Sequence, residues 1–310
     1  MIQLKDIYIY LDLPIVGEMS IDICGIAMAS EANENDIAIV LRKEELKTTN
    51  AKVILIKPGV YDIDKTLIFS MDVWKTAIDI AKWFIEKNIY SDYSKPVNYK
   101  ILDNQIALGQ NVFIGNDTYI NSFTNIGNNV SIGSNCYIGS NVSIGSDVKI
   151  GDNVVINDGC RIGANSFAFI NIGGERIAFP GIKSVIIKNN VAVGYNTIIQ
   201  RGLFSDTYID DCVKISDLVG IGHDVHIGKN TFIMGQVGIG GNVNIGDDVT
   251  IYAQAGIKDG VCIGNKCIIY AKSGITKSVS DKKYMAGFFG IEYKDEMRIQ
   301  CNLRRNFRRK

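Results

Sequence analysis

Ile132-Gly133-Ser134-Asn135-Cys136-Tyr137-Ile138-Gly139-Ser140-Asn141-Val142-Ser143-Ile144-Gly145-Ser146-Asp147-Val148-Lys149-Ile150-Gly151-Asp152-Asn153 repeats itself every six residues. Glycine follows each isoleucine, and Asn or Asp often comes within three residues of it. Working outward, the same beat runs from Leu108 to Ile162. It resumes at Ile187, Val193 and Ile199 and continues from Ile209 to Ile275. A period of six matches neither an α-helix at 3.6 nor a lone strand at 2. It predicts a triangular parallel β-helix with one short strand and one corner per hexad. Each inward Ile or Val is then buried against its neighbours in the next coil. β-branching suits the strands, and corners favour Gly, Asn and Asp. The 10, 3 and 12 hexads of the three runs, at three per coil, give about eight coils. At the usual strand spacing that is a prism roughly 40 Å long.

The beat breaks twice. Residues 166 to 184, with Pro180, lose the phase and predict a loop thrown out from a corner. Between Ile199 and Ile209 about four residues are inserted around Arg201-Gly202-Leu203-Phe204. Insertions in solenoids often lie on the binding face.

Outside the repeat, residues 1–97 predict a small α/β domain. Ile37–Val40 and Val53–Ile56 read as strands, and Val73 to Lys87 as an amphipathic helix whose apolar stripe is core. The solenoid is assigned to 98–279. Residues 280–310 are read as a helical, basic segment ending in Arg304-Arg305-Asn306-Phe307-Arg308-Arg309-Lys310, either a solvated tail or a docking patch for an acidic carrier protein.

Lys+Arg and Asp+Glu both number 33, so overall charge gives no reason to expect nucleic acid. No apolar run is long enough to span a membrane and no signal peptide is evident, so the expected place is the cytoplasm, membrane-peripheral at most. Seven cysteines without metal or disulfide spacing fit reduced thiols, several of them packing residues.

The only two histidines fall in Gly222-His223-Asp224-Val225-His226-Ile227. A three-histidine catalytic zinc is therefore not expected, and no metal is assigned. His223 follows an inward Ile by two, which puts it outside the core near a corner, where an imidazole suits general-base work. His226 reads as a surface residue. Gly241 lies 18 residues on, one coil above His223. A base beside a bare backbone N–H is what acyl transfer requires, the N–H holding the oxyanion.

These residues and several further segments make the chain resemble the UDP-3-O-acylglucosamine N-acyltransferases of lipid A synthesis, which are hexapeptide-repeat enzymes. The resemblance lies in Ile21-Asp22-Ile23-Cys24-Gly25-Ile26-Ala27, Ile221-Gly222-His223-Asp224-Val225, Gln236-Val237-Gly238-Ile239, Gln254-Ala255-Gly256-Ile257, Ala271-Lys272-Ser273-Gly274, Met285-Ala286-Gly287 and the interrupted segment. It implies a left-handed β-helix, mainly β overall, and a cytoplasmic homotrimer with sites between subunits. His223 would be the base and the Gly241 N–H the oxyanion donor. No cofactor would be bound; the acyl donor would ride on the phosphopantetheine of acyl carrier protein or on CoA. The acceptor would be the amine of a UDP-linked glucosamine. The matched segments make Arg201, Asp217 and Gln236 substrate- or acyl-binding positions.

Four departures stand out. Val40 to Leu46 replaces the family's Asn-Pro-Lys-Tyr-like uracil stretch. Gln200-Arg201-Gly202 replaces Asp-Arg-Gly, and Asp259-Gly260 replaces Gly-His. Ser216-Asp217 replaces an upstream Asp-Asn, leaving Asp217 as the acid to orient the base. Two alternatives follow: an N-acyltransferase for another UDP- or dTDP-linked amino-deoxy sugar using acyl-CoA, or a non-catalytic trimeric scaffold.

Overall fold

The structure, a computed structural model, describes residues 2–91, 100–102, 105–287, 294, 297–299 and 301–302. Its dominant element is a left-handed parallel β-helix. Three faces of 8, 9 and 10 strands run its length, the largest ending on an antiparallel strand at Lys100–Ile101. Register advances by one coil of 18 residues, so that Ile126 pairs with Ile144 and Ile221 with Ile239. The interruptions are absorbed without loss of phase: Ile150 pairs with Ile187, and Ile187 with Ile209.

The core is richer than one apolar residue per hexad. Two positions before the isoleucine a second side chain also turns inward, and Val130, Val142, Val148 and Val154 are fully buried there. Thr124, Thr197 and Thr231 take the same position in other hexads. Their hydroxyls donate to the carbonyls of Gly139, Ser216 and Gly246 at 2.8, 2.8 and 2.9 Å, which satisfies a polar group inside the prism. Cys136, Cys160 and Cys267 are buried here too, and burial pushes the Cys160 thiol up to about 11.

The corners divide two tasks. The left-handed conformation falls mainly to the Asn or Asp three residues after the isoleucine, as at Asn129, Asn135, Asn141 and Asp147. The glycine directly after the isoleucine serves close approach instead. A Cβ on Gly115 would lie 2.5 Å from the carbonyl carbon of Gly133 in the next coil.

Residues 2–91 form the smaller unit. Strands β1 (Ile15–Val16), β2 (Gly25–Met28), β3 (Asp36–Ile39), β4 (Val53–Ile56) and β5 (Thr66–Phe69) make a sheet in the order β1-β5-β4-β3-β2. It is parallel except for β1. Helix α1 (Leu4–Leu11), which the sequence reading missed, and helix α2 (Val73–Glu86) share its core. Asp72 caps α2 by accepting from the Lys75 N–H at 3.0 Å.

The segment 166–184 is more than a loop. It holds an antiparallel hairpin, β6 (Phe169–Ile172) and β7 (Glu175–Ala178). Phe179, Ile182, Leu203 and Phe204, from the two interruptions of the repeat, share one apolar core with α1, α2 and the sheet. The interruptions are thus the joint between the two units. At the other end, Tyr284–Met285 pairs with Ile268–Ile269, so the coils continue past 279, the boundary expected from the loss of Ile spacing. The basic run 304–310 lies outside the described residues.

Candidate active site

His223 occupies a corner, with 17% of its side chain exposed, outside the isoleucine core. Its Nδ1 lies 2.7 Å from Oδ2 of Asp224, whose side chain is wholly buried. A carboxylate only accepts, so Nδ1 carries the proton and Nε2 keeps its lone pair. The other carboxylate oxygen, Oδ1, accepts from three consecutive N–H groups, Leu203, Phe204 and Ser205, at 3.0, 2.8 and 2.7 Å. The Ser205 hydroxyl adds a fourth bond at 3.2 Å. The four-residue insertion therefore has a use: its backbone wraps the carboxylate that fixes the His223 imidazole. Gly202 makes this possible, because a Cβ there would run into the Ser205 carbonyl.

The carboxylate against the imidazole is thus that of Asp224 and not that of Asp217. Asp217 Oδ1 accepts from the Tyr195 N–H at 2.8 Å, an ordinary bond between stacked corners. Arg201 is 1% exposed and lines neither cavity at His223. Its Nε and Nη2 donate to the Gly163 and Ser146 carbonyls, each at 3.2 Å, and Nη1 to the Lys183 carbonyl at 3.3 Å. It ties the hairpin segment to the coils. Gln236 sits on an exposed corner, where its Oε1 accepts from Gln254 Nε2 at 2.6 Å, and lines neither cavity at His223. Charge and amide groups in a sequence suggest ligand contact, but here backbone carbonyls and stacked corners use them.

Gly241 lies beside the base as expected: a Cβ there would stand 2.5 Å from His223 Nε2. Only glycine leaves room for the imidazole. Its N–H, however, is not bare. It donates to Asp259 Oδ1 at 2.7 Å, which corrects the reading of it as a free oxyanion donor. Asp259 replaces a family glycine, and a side chain there restores the corner cap seen elsewhere, as where Asp152 accepts from Ser134 N–H at 2.7 Å.

Two cavities meet at His223, and both also touch Phe167. One, of about 920 Å³, lies between the two units, walled by Arg42, Glu45 and Trp74 on one side and Phe204 and Asn242 on the other. The sequence reading assigned none of these residues. Trp74 and Phe204 are stacked at a tilt with ring centroids 6.1 Å apart. Glu31 also lines it; burial pushes its carboxyl above the usual carboxylate range and the Asp224 charge adds to this, while the Ser205 hydroxyl and Lys183 pull the other way. The second cavity, of about 620 Å³, is a groove along one solenoid face. Its floor is a column of paired glycines, Gly220, Gly238 and Gly256, continued by Gly274. A Cβ on any of the four would meet nothing within 4 Å. The chain's own packing does not require glycine there, and glycine weakens a strand. The column leaves backbone open to close approach from outside.

The family description "Bacterial transferase hexapeptide (six repeats)" matches residues 107–140 and 135–167, and "Hexapeptide repeat of succinyl-transferase" matches 236–276. Both matches fall within the coils of the solenoid. Among its curated relatives, the UDP-3-O-acylglucosamine N-acyltransferases of Herminiimonas arsenicoxydans and Acidovorax sp. (strain JS42) are each 44% identical over 77 residues, 25% of this chain. That of Janthinobacterium sp. (strain Marseille) is 43% identical over 77 residues. The matched stretch spans 22–24% of the length of these three relatives. Among solved structures, the Francisella novicida UDP-N-acetylglucosamine acyltransferase is similar with a TM-score of 0.52 and 24% identity, covering 62% of this chain and 71% of that one. A second UDP-N-acetylglucosamine acyltransferase is similar with a TM-score of 0.54 and 23% identity over 64% and 80%. At these identities the likeness is one of fold alone. Among its described residues no helix is long and apolar enough to cross a membrane.

Proposed function

We propose that this hexapeptide-repeat protein is an N-acyltransferase. It moves a 3-hydroxyacyl or other acyl group from a pantetheine thioester to the amine of a nucleotide-linked amino sugar. UDP-3-O-acylglucosamine is the acceptor favoured by the relatives' names, which places the reaction in lipid A synthesis. The observation that carries the reading is the position of His223 at the junction of two cavities, one for each substrate. The glycine-floored groove suits a thin, extended pantetheine or acyl chain, on acyl carrier protein or CoA. The larger cavity, with Trp74 and Arg42, suits a nucleotide sugar. With Nδ1 fixed by Asp224, Nε2 accepts the amine proton and the nitrogen attacks the thioester carbonyl. The C–N bond forms, the C–S bond breaks, and the thiol departs with a proton. The protein works as a cytoplasmic homotrimer in this reading.

A second acceptor is favoured by one observation. Where the family has its uracil stretch, the cavity wall here carries Arg42 paired with Glu45 at 3.0 Å. Another UDP- or dTDP-linked amino-deoxy sugar fits that wall as the alternative. The test is mass-spectrometric product detection with UDP-3-O-acylglucosamine and a panel of such amino sugars, each with acyl carrier protein and CoA thioesters. An N-acylated product is expected; no product from any pair would leave the scaffold reading.

The groove assignment has its own check. Gly238→Leu is expected to leave the melting temperature nearly unchanged, since its Cβ meets nothing. It should raise the donor KM about 10-fold or more, because one or two methylene-sized clashes are worth that much in a fitted site. Unaltered donor KM in steady-state kinetics would move the donor elsewhere.

A further inference from the structure

Asp259 is the part of the site that neither the base nor its orienting acid explains. As a cap it has counterparts: Asn128 accepts from Gln110 N–H at 2.8 Å and Asn265 from Asp247 N–H at 2.7 Å. Its place is what differs. His223, Gly241 and Asp259 occupy the same corner of three successive coils, each second after an inward isoleucine. The imidazole lies against Gly241 from one side and the carboxylate is fixed to the Gly241 N–H from the other. Both side chains line the groove, and Asp259 is exposed. Oδ1 is held, leaving Oδ2, and Asp259 has no ion pair among the described residues.

We propose that Asp259 is a positioning residue that selects a protonated amine as the acceptor. This rests on the transferase reading above and adds to it the charge state of the acceptor. An ammonium arriving at the junction donates one N–H to Asp259 Oδ2 and a second proton to His223 Nε2. The resulting amine stays on Asp259 with its lone pair free for the thioester carbonyl carbon. The C–N bond forms and the C–S bond breaks. The thiolate takes the proton from the imidazolium, and the remaining nitrogen proton leaves to solvent, so that ammonium and thioester become amide, thiol and one released proton. A neutral hydroxyl or acetamide N–H can also donate to the carboxylate but lacks the attraction between opposite charges that the ammonium adds. The role the Gly241 N–H retains is to hold Asp259 still.

Asp259→Asn separates this role from capping, because an asparagine Oδ1 already caps other corners. Calorimetric binding of UDP-glucosamine and UDP-N-acetylglucosamine would be measured at a pH where the free amine is protonated. The wild-type protein is expected to prefer the amino sugar about 10-fold, the scale of one charge-assisted hydrogen bond. Asp259→Asn should equalise the two ligands with an unchanged melting temperature. Equal binding by the wild type, or a preference that survives the substitution, overturns the proposal. A wild-type amine preference that is lost in Asp259→Asn, without any product in the transfer assay, would instead overturn the transferase reading alone.

Discussion

His223→Ala is expected to lower transfer by about 10²- to 10⁴-fold, the usual worth of a positioned general base. It should leave the coiled fold within about 0.5 kcal/mol, as for other substitutions outside a core. The side chain lies outside the isoleucine column, and no strand pairing passes through it. The deficit should fall mainly in kcat, with the KM values for donor and acceptor changed much less, because His223 is one of many residues lining each cavity. Single-turnover kinetics beside a thermal melt would check both halves. Near-normal turnover with an intact melt would remove His223 from the chemistry and return the site to a scaffold.

Asp224 should show two different failures according to what replaces it. In Asp224→Asn, Oδ1 can still accept from the three N–H groups of 203–205, so the insertion keeps its shape. The amide then turns its NH₂ toward His223 Nδ1, which drives the ring proton to Nε2 and removes the lone pair that should take the amine proton. Activity is expected to fall roughly 10³- to 10⁴-fold with the fold retained, as when an orienting acid becomes an amide in a triad. The flipped amide is disfavoured because it would aim its donors at three other donors. Asp224→Ala leaves those three N–H groups without an acceptor and should also cost about 3 kcal/mol or more, at roughly 1–3 kcal/mol for each orphan. A melt that falls for Ala and not for Asn, with both inactive, is the expected pattern. An active Asn variant would show that the pairing at 2.7 Å is structural only.

The solenoid was readable because one side chain in six must point inward whatever the surroundings, and Ile, Val and Leu mark that demand along the chain. The smaller valine two places earlier was harder to see, since Thr124, Cys136 and Ala255 fill the same slot and blur the pattern. The base could be found because only two histidines exist. Its carboxylate partner is the next residue, yet neither the stacking of coils nor the family's upstream position points to it, because Asp224 acts within its own corner. Arg201 misled for the opposite reason. Its partners, the carbonyls of Ser146, Gly163 and Lys183, lie far away in sequence, so nothing local shows that its charge is already used. The larger cavity was not legible at all, because it exists only where Trp74 comes to stand against Phe204.

The joint built from the two interruptions bears on the order in which the site comes into being. Neighbouring coils meet residues only 18 apart, and short separations close quickly and can propagate coil by coil. The glycine floor and the His223–Asp224 pair belong to that local growth. The wall of the larger cavity instead requires residues near 28–74 to find residues 167–204, across a stretch of chain whose closure is slow. The half of the site that faces the groove is therefore formed during coil growth, and the half that faces the larger cavity is completed only on docking.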